Sequence, residues 1–226
     1  YYTRPMRAGL SGRRTTVKEI LEQRVVPVAV IDRLEDAVPL ARALVAGGLT
    51  TLELTLRTPV ALDALRAIRR AVPEMKAGAG TVLSTAQVDQ VLEAGACFAV
   101  APGLNPKVVQ HAQARGLAFF PGVMTPTDVE LALDLGCLLQ KFFPASVAGG
   151  LEMIKALAAP YGHTGLKLIP LGGITAQNMA DYLAHPLVAA VGGSWLVDKK
   201  RMAAGDWAGI TQLAADALQR AQGVRT

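Results

Sequence analysis

The chain has 226 residues, 51% apolar and 18% charged, so it can bury a sizeable core and is neither disordered nor fibrous. Its formal net charge is +5, but Arg4, Arg7, Arg13 and Arg14 crowd the first 14 residues without an acid, and the rest of the chain carries only +1. That local surplus, with just five Phe, two Trp and four Tyr, argues against a nucleic-acid surface. No apolar run reaches about 18 residues, so no membrane span is expected. The N-terminus lacks the apolar core of a leader peptide, and a cytoplasmic chain is expected. Residues 1–14 read as a solvated basic extension and residues 15–226 as one domain.

A leading helix is expected over Thr16 to Arg24, opened by Thr16-x-x-Glu19 in capping-box spacing. Short apolar runs follow: VVPVAV (25–30), TLEL (51–54), KAGAGT (76–81), CFAVAP (97–102), AFFPG (118–122), LLQKFF (138–143), LKLIP (166–170) and AAVGG (189–193). Helices are expected between them, including Ala37 to Ala46, Pro59 to Ala71, Thr85 to Ala94 and Pro126 to Leu135. Gly47, Gly95 and Gly136 follow such stretches, as a helix C-terminus prefers. Strand alternating with helix implies parallel strands joined by crossover helices. Eight such units imply an α/β fold, a (β/α)8 TIM barrel with an N-terminal helix. An open doubly wound sheet is the alternative; the count of eight, and the lack of GxGxxG after the first run, favour the barrel.

In such a barrel the chemistry gathers where strands end and loops begin. Lys141 stands inside LLQKFF, followed directly by Phe142-Phe143-Pro144. Either its stem packs while its head reaches water, or its amine is kept from water and can attack a carbonyl to form a Schiff base. Glu53, within TLELTLR, is either an acid/base or a salt-bridge partner of Arg57 or Lys141. Arg57 can grip a carboxylate through two parallel hydrogen bonds. Thr81 ends GAGT, whose small residues let the backbone approach a ligand, and Pro102 ends the fourth run. Gly172-Gly173 follows the seventh run, with a helix expected from Thr175, and Gly192-Gly193-Ser194 follows the eighth. Loops in those two places bind phosphate through backbone N–H groups and a helix N-terminus. His111, His163 and His185 lack metal-ligand spacing, so no metal is expected. No GxSxG occurs, and Cys97 and Cys137, without CxxC spacing, read as buried free thiols.

Taken in order, VVPVAV, GGLTTLELTLRT, GAGTVL, APGLNP, PGVMTP, KFFPAS, GGI and GGSWLV resemble the class I 2-keto-3-deoxy-6-phosphogluconate (KDPG) aldolases, which include the 4-hydroxy-2-oxoglutarate (KHG) aldolases. The resemblance runs from Val25 to Trp207. It implies that Lys141 forms the Schiff base, that Glu53 is the general acid/base, and that Arg57 and Thr81 bind the pyruvate carboxylate. It also implies that Gly172, Gly173, Gly193 and Ser194 hold the phosphate end, that no cofactor is needed, and that the enzyme is a homotrimer acting on a small 2-keto acid. Pro102, Phe143 and Leu171 are expected to line the same pocket. Two positions depart from the family's usual FPAE and PTGG, here FPAS and PLGG. Ser146 alters polarity beside the catalytic strand. Leu171 removes a hydroxyl expected near the distal half of the substrate, which puts substrate identity rather than reaction type in question. Two other functions fit the same fold: a phosphosugar isomerase or epimerase using Glu53 without Lys141, and a non-catalytic phosphosugar-binding barrel.

Overall fold

A computed structural model describes residues 17–224. The basic extension over residues 1–14, and Thr16 of the expected capping box, lie outside the described residues. The described chain opens with α1 (Val17–Leu21), which stops short of the expected Arg24. Arg24 itself takes a left-handed backbone (φ 58°) and turns the chain into β1 (Val25–Ala29). Then come α2 (Ala37–Ala46), β2 (Thr51–Thr55), α3 (Ala61–Ala71), β3 (Lys76–Gly80), α4 (Thr85–Glu93) and β4 (Phe98–Val100). The middle of the chain forms α5 (Pro106–Ala114), β5 (Ala118–Phe120), β6 (Gly122–Val123), α6 (Pro126–Asp134) and β7 (Leu139–Phe142). The last part forms α7 (Gly150–Tyr161), β8 (Lys167–Pro170), α8 (Met179–Leu183), β9 (Val191–Gly193), α9 (Lys199–Ala203) and α10 (Trp207–Gly223).

Helix boundaries follow local chemistry. Ser84, Asn105 and Thr125 accept backbone N–H groups at the starts of α4, α5 and α6, and Thr125 forms a full capping box with Asp128. Each such cap contributes about 1 kcal/mol. Gly95 and Gly136 take left-handed backbones just after α4 and α6; after α2 it is Gly48, not Gly47, that does so.

All strand pairs are parallel. Six strands make a curled sheet in the order β5-β4-β3-β2-β1-β9, and three make a second in the order β6-β7-β8. Sequential neighbours from β1 to β5 exclude the doubly wound alternative, whose order reverses beside the first strand. β5 and β6 are separated only by Pro121, whose carbonyl accepts from Lys141 N at 2.9 Å. Beyond β8, Leu168 N donates to Leu187 O at 2.7 Å and Ala189 N to Leu168 O at 3.0 Å, on the approach to β9.

Side chains alternate along each strand. One parity, including Val26, Phe98, Val100, Phe120 and Ile169, forms an inner apolar cluster with Ile20. The other, including Val25, Leu52, Leu54, Ala99 and Leu168, joins the larger core shared with the helices. Glu53 sits between outward Leu52 and Leu54, and Lys141 precedes outward Phe142, so both charged residues take inward positions. Ile20 of α1 is 1% exposed, and Thr51 Oγ1 donates to its carbonyl at 3.1 Å, so α1 closes the interior at the amino ends of the strands. Ile20→Ala is expected to lower stability by about 2–4 kcal/mol, the cost of an apolar cavity. Val17→Ala, on the exposed side of the same helix, should change it by less than about 0.5 kcal/mol, both read by urea unfolding.

Candidate active site

Strand alternation sends Glu53 of β2 and Lys141 of β7 into one interior, although 88 residues separate them. Lys141 Nζ donates to Glu53 Oε1 at 3.1 Å, and the residues are 6% and 2% exposed. Either charge alone in such a place costs several kcal/mol; each is tolerated because the other is present. The Phe143 ring, its centroid 5.2 Å from Nζ, offers a π face as a second partner. Below the pair the space narrows to about 10 Å³ among Phe98, Phe120, Ile169 and Leu171, roughly the room of one water. Of the two salt-bridge partners open to Glu53, the fold selects Lys141. Among the described residues no carboxylate lies within ion-pair reach of Arg57.

β3 makes room for this pair. Its inward positions are Gly78 and Gly80; a Cβ on Gly78 would meet the Phe98 ring, and one on Gly80 the Glu53 carboxylate. Gly78 and Gly80 of GAGT therefore make room for the protein's own Phe98 and Glu53. Thr81 then ends the strand with a left-handed backbone (φ 61°). For a β-branched residue this stores about 1–3 kcal/mol of strain, of a kind found at functional sites.

Period two carries the inward face of β2 from Glu53 to Thr55, and Arg57 follows two residues beyond the strand's end. Arg57 Nε donates to Thr55 Oγ1 at 3.2 Å. Its guanidinium stands in a cleft of about 590 Å³ walled by Ser194, Trp195 and Lys199. Leu56 N donates to Gly80 O at 2.8 Å, which sets Arg57 and Thr81 at adjacent strand ends. Thr55, Trp195 and Lys199 were not singled out from the sequence. Thr55 was findable, since it shares the face of Glu53 and Arg57. Trp195 lies on the turn after β9 and Lys199 opens α9, where the strand period no longer applies.

Gly172 and Gly173 follow β8 with φ of 91° and 83°, where a side chain would be strained. Ser146 N donates to Gly172 O at 2.9 Å and Ala145 N to Leu171 O at 2.7 Å, which ties the loops after β7 and β8 together. Among the described residues the N–H groups of Gly172, Gly173 and Ser194 meet no acceptor. The helix expected from Thr175 begins only at Met179. Thr175 N donates to Asn178 Oδ1 at 2.8 Å and Asn178 N returns to Thr175 Oγ1 at 3.4 Å, a side-chain turn that competes with helix. Any anion held here meets loop N–H groups, not a helix terminus. A Cβ on Gly193 would run into the Trp195 ring.

Leu171 lines the narrow space with Lys141 and Glu53, as a pocket residue should, and packs against Gly192; it does not line the cleft that holds Ser194, so it stands away from the distal end expected for it. Pro102 lines a second cleft of about 280 Å³ with Leu104 and Asn105. Of the cysteines, Cys137 is buried and its thiol is pushed up to about 11 by that burial, whereas Cys97, just ahead of β4, is half-exposed rather than buried. His111 Nε2 lies 3.1 Å from Asp89 Oδ1, and His185 Nδ1 accepts from Leu187 N at 3.2 Å. Among the described residues no three His, Cys, Asp or Glu side chains gather where they could hold a metal ion.

Residues 17–213 match the family model described as KDPG and KHG aldolase. A 2-dehydro-3-deoxy-phosphogluconate aldolase of Treponema pallidum is 48% identical over 90% of this chain and 97% of its own length. The KDPG aldolase of Legionella pneumophila, solved with pyruvate captured at low pH as a covalent carbinolamine intermediate, matches with a TM-score of 0.86. It is 40% identical and covers 90% of this chain and 98% of its own. The Zymomonas mobilis KDPG aldolase, solved with 3-phosphoglycerate, matches with a TM-score of 0.84 at 42% identity, over 93% of this chain and 98% of that one.

Proposed function

The chain belongs to the KDPG and KHG aldolase family, and we propose from its geometry that Lys141 and Glu53 carry a Schiff-base aldol cleavage. The observation that carries this reading is the buried 3.1 Å contact between Lys141 Nζ and Glu53 Oε1, which pairs a nucleophile with a proton acceptor. Glu53 takes a proton from Lys141, and the freed amine attacks the C2 ketone of the substrate. Glu53 passes that proton, and the one the amine nitrogen then gives up, to the former ketone oxygen, which leaves as water; an iminium forms and Glu53 is a carboxylate again. The C3–C4 bond breaks, its electrons flow into the iminium to give an enamine, and Glu53 receives the C4 hydroxyl proton, directly or through one water. The enamine is reprotonated at C3, and hydrolysis returns Lys141 and pyruvate. The co-product is glyceraldehyde 3-phosphate from KDPG, or glyoxylate from 4-hydroxy-2-oxoglutarate. The enzyme is a lyase.

In this reading Arg57 and Thr81 hold the keto-acid carboxylate, and Phe143 packs beside the amine. Gly172, Gly173, Gly193 and Ser194 meet the phosphate. The unengaged N–H groups of three of these support that assignment, as does the 3-phosphoglycerate in the Zymomonas mobilis relative. Pro102 lines the neighbouring cleft, and its carbonyl lies against Gly122, the register partner of Lys141. We further infer that residues 17–224 are one domain whose two sheets close into a (β/α)8 barrel. The β5–β6 run counts as one strand, and the bonds from Lys141 N to Pro121 O and between β8 and residues 187–189 support closure. Assembly as a homotrimer belongs to the same reading, with exposed Leu83, Met124 and Val147 as apolar surface for such contacts. So does a cytoplasmic setting, for which the support is that no helix among the described residues is long and apolar enough to cross a membrane.

Pyruvate with borohydride should add one reduced adduct per chain at Lys141, read by peptide mass mapping. An adduct on Lys76 or Lys167 would sink the assignment, and the isomerase and binding-protein alternatives both leave the chain unlabelled. Glu53→Gln should lose about 10²–10⁴-fold in turnover and in exchange of the pyruvate methyl protons with D₂O, yet stay slowly trappable; wild-type exchange would refute its role. Because Leu171 lies beside the reacting pair, Leu171→Thr should shift kcat/KM in parallel for KDPG, its C4 epimer and 4-hydroxy-2-oxoglutarate. A gain confined to KDPG would place Leu171 at the distal end after all.

A further inference from the structure

An exposed arginine samples many rotamers, and one that must grip a carboxylate binds better if a single orientation is imposed beforehand. The structure assigns that task to Thr55, as a positioning residue that sets the Arg57 guanidinium for the substrate carboxylate. The inference rests on the reading of Arg57 as the carboxylate grip. Thr55 is 3% exposed, so it has almost no surface for a substrate to touch. Its hydroxyl proton goes to Ala29 O on β1 at 3.2 Å. The oxygen therefore turns a lone pair outward, and Arg57 Nε donates to it at 3.2 Å. With Nε engaged, the hydrogens left to a carboxylate are those on the two terminal nitrogens. The fork is thus presented end-on, not from the Nε side. The backbone around Arg57 is held as well. Thr58 Oγ1 donates to Ile31 O at 2.6 Å on the β1 side, and Leu56 N donates to Gly80 O at 2.8 Å on the β3 side. Asp198 lines the same cleft, but its Oδ1 accepts from Arg201 N at 2.8 Å, and among the described residues it forms no ion pair with Arg57.

The test is a double-mutant cycle on the pyruvate concentration that half-saturates borohydride trapping, with the trapping rate at saturation and the Tm measured beside it. Thr55→Val should raise the half-saturating concentration about three- to tenfold, the worth of one modest hydrogen bond. The saturated rate should stay within about twofold, and Thr55→Ser, which keeps the hydroxyl, should restore the wild-type value. In an Arg57→Ala background, Thr55→Val should change nothing further, since a residue acting only through Arg57 has no route left. An equal effect in both backgrounds, no effect in either, or failure of serine to rescue overturns the proposal. Should the valine variant fold poorly, Thr55→Ala runs the same cycle. If the wild type is not trapped at Lys141, the aldolase reading fails instead. Pyruvate affinity by calorimetry, which needs no covalent step, then decides the Thr55–Arg57 coupling alone.

Discussion

An ammonium and a carboxylate 3.1 Å apart in an apolar interior constrain most of what surrounds them. Removing one partner of a buried pair costs about 3–5 kcal/mol, because the survivor is left without water or counter-charge. The pair exists only when β2 and β7 are both in register, so it is formed by the completed fold and by nothing shorter. Its neighbours are fixed in turn. β3 carries no inward side chain at Gly78 or Gly80 because Phe98 and Glu53 occupy that space. The floor is apolar, so no further polar side chain reaches the pair from below.

Moving up from that floor, the groups follow the difficulty of drying them. Lys141 and Glu53 are buried with each other as solvent. Thr55 is buried as well, its hydroxyl fully used between Ala29 and Arg57. The Arg57 guanidinium and the glycine turns stand at the cleft, where an incoming anion can replace water at little cost. A substrate whose ketone sits between an anionic carboxylate and an anionic phosphate is complementary to that layering.

Much of this was legible in the sequence for physical reasons. A lysine inside LLQKFF and a glutamate inside TLELTLR violate the expected burial pattern, and such violations mark function. Eight apolar runs with helical spacing between them gave the strands and their parallel sense, and Ser84, Asn105 and Thr125 set helix starts through chemistry visible within three residues. What escaped depended on packing between distant segments. GAGT carries no sign that its glycines clear space for Phe98 and Glu53, since those partners come from other strands. The helix expected from Thr175 yields to a turn because Thr175 and Asn178 bond to each other's backbone. Leu171 was assigned to the outer end of the site from a motif difference alone; its direction depends on the strand parity that puts it against Gly192.

The short helix α1 has a consequence for traffic. Ile20 seats at the amino ends of the strands, beneath the apolar space that Lys141 and Glu53 line. Anything approaching the pair from that side would first have to dislodge an isoleucine that is 1% exposed, so α1 serves as a plug as much as a piece of scaffold.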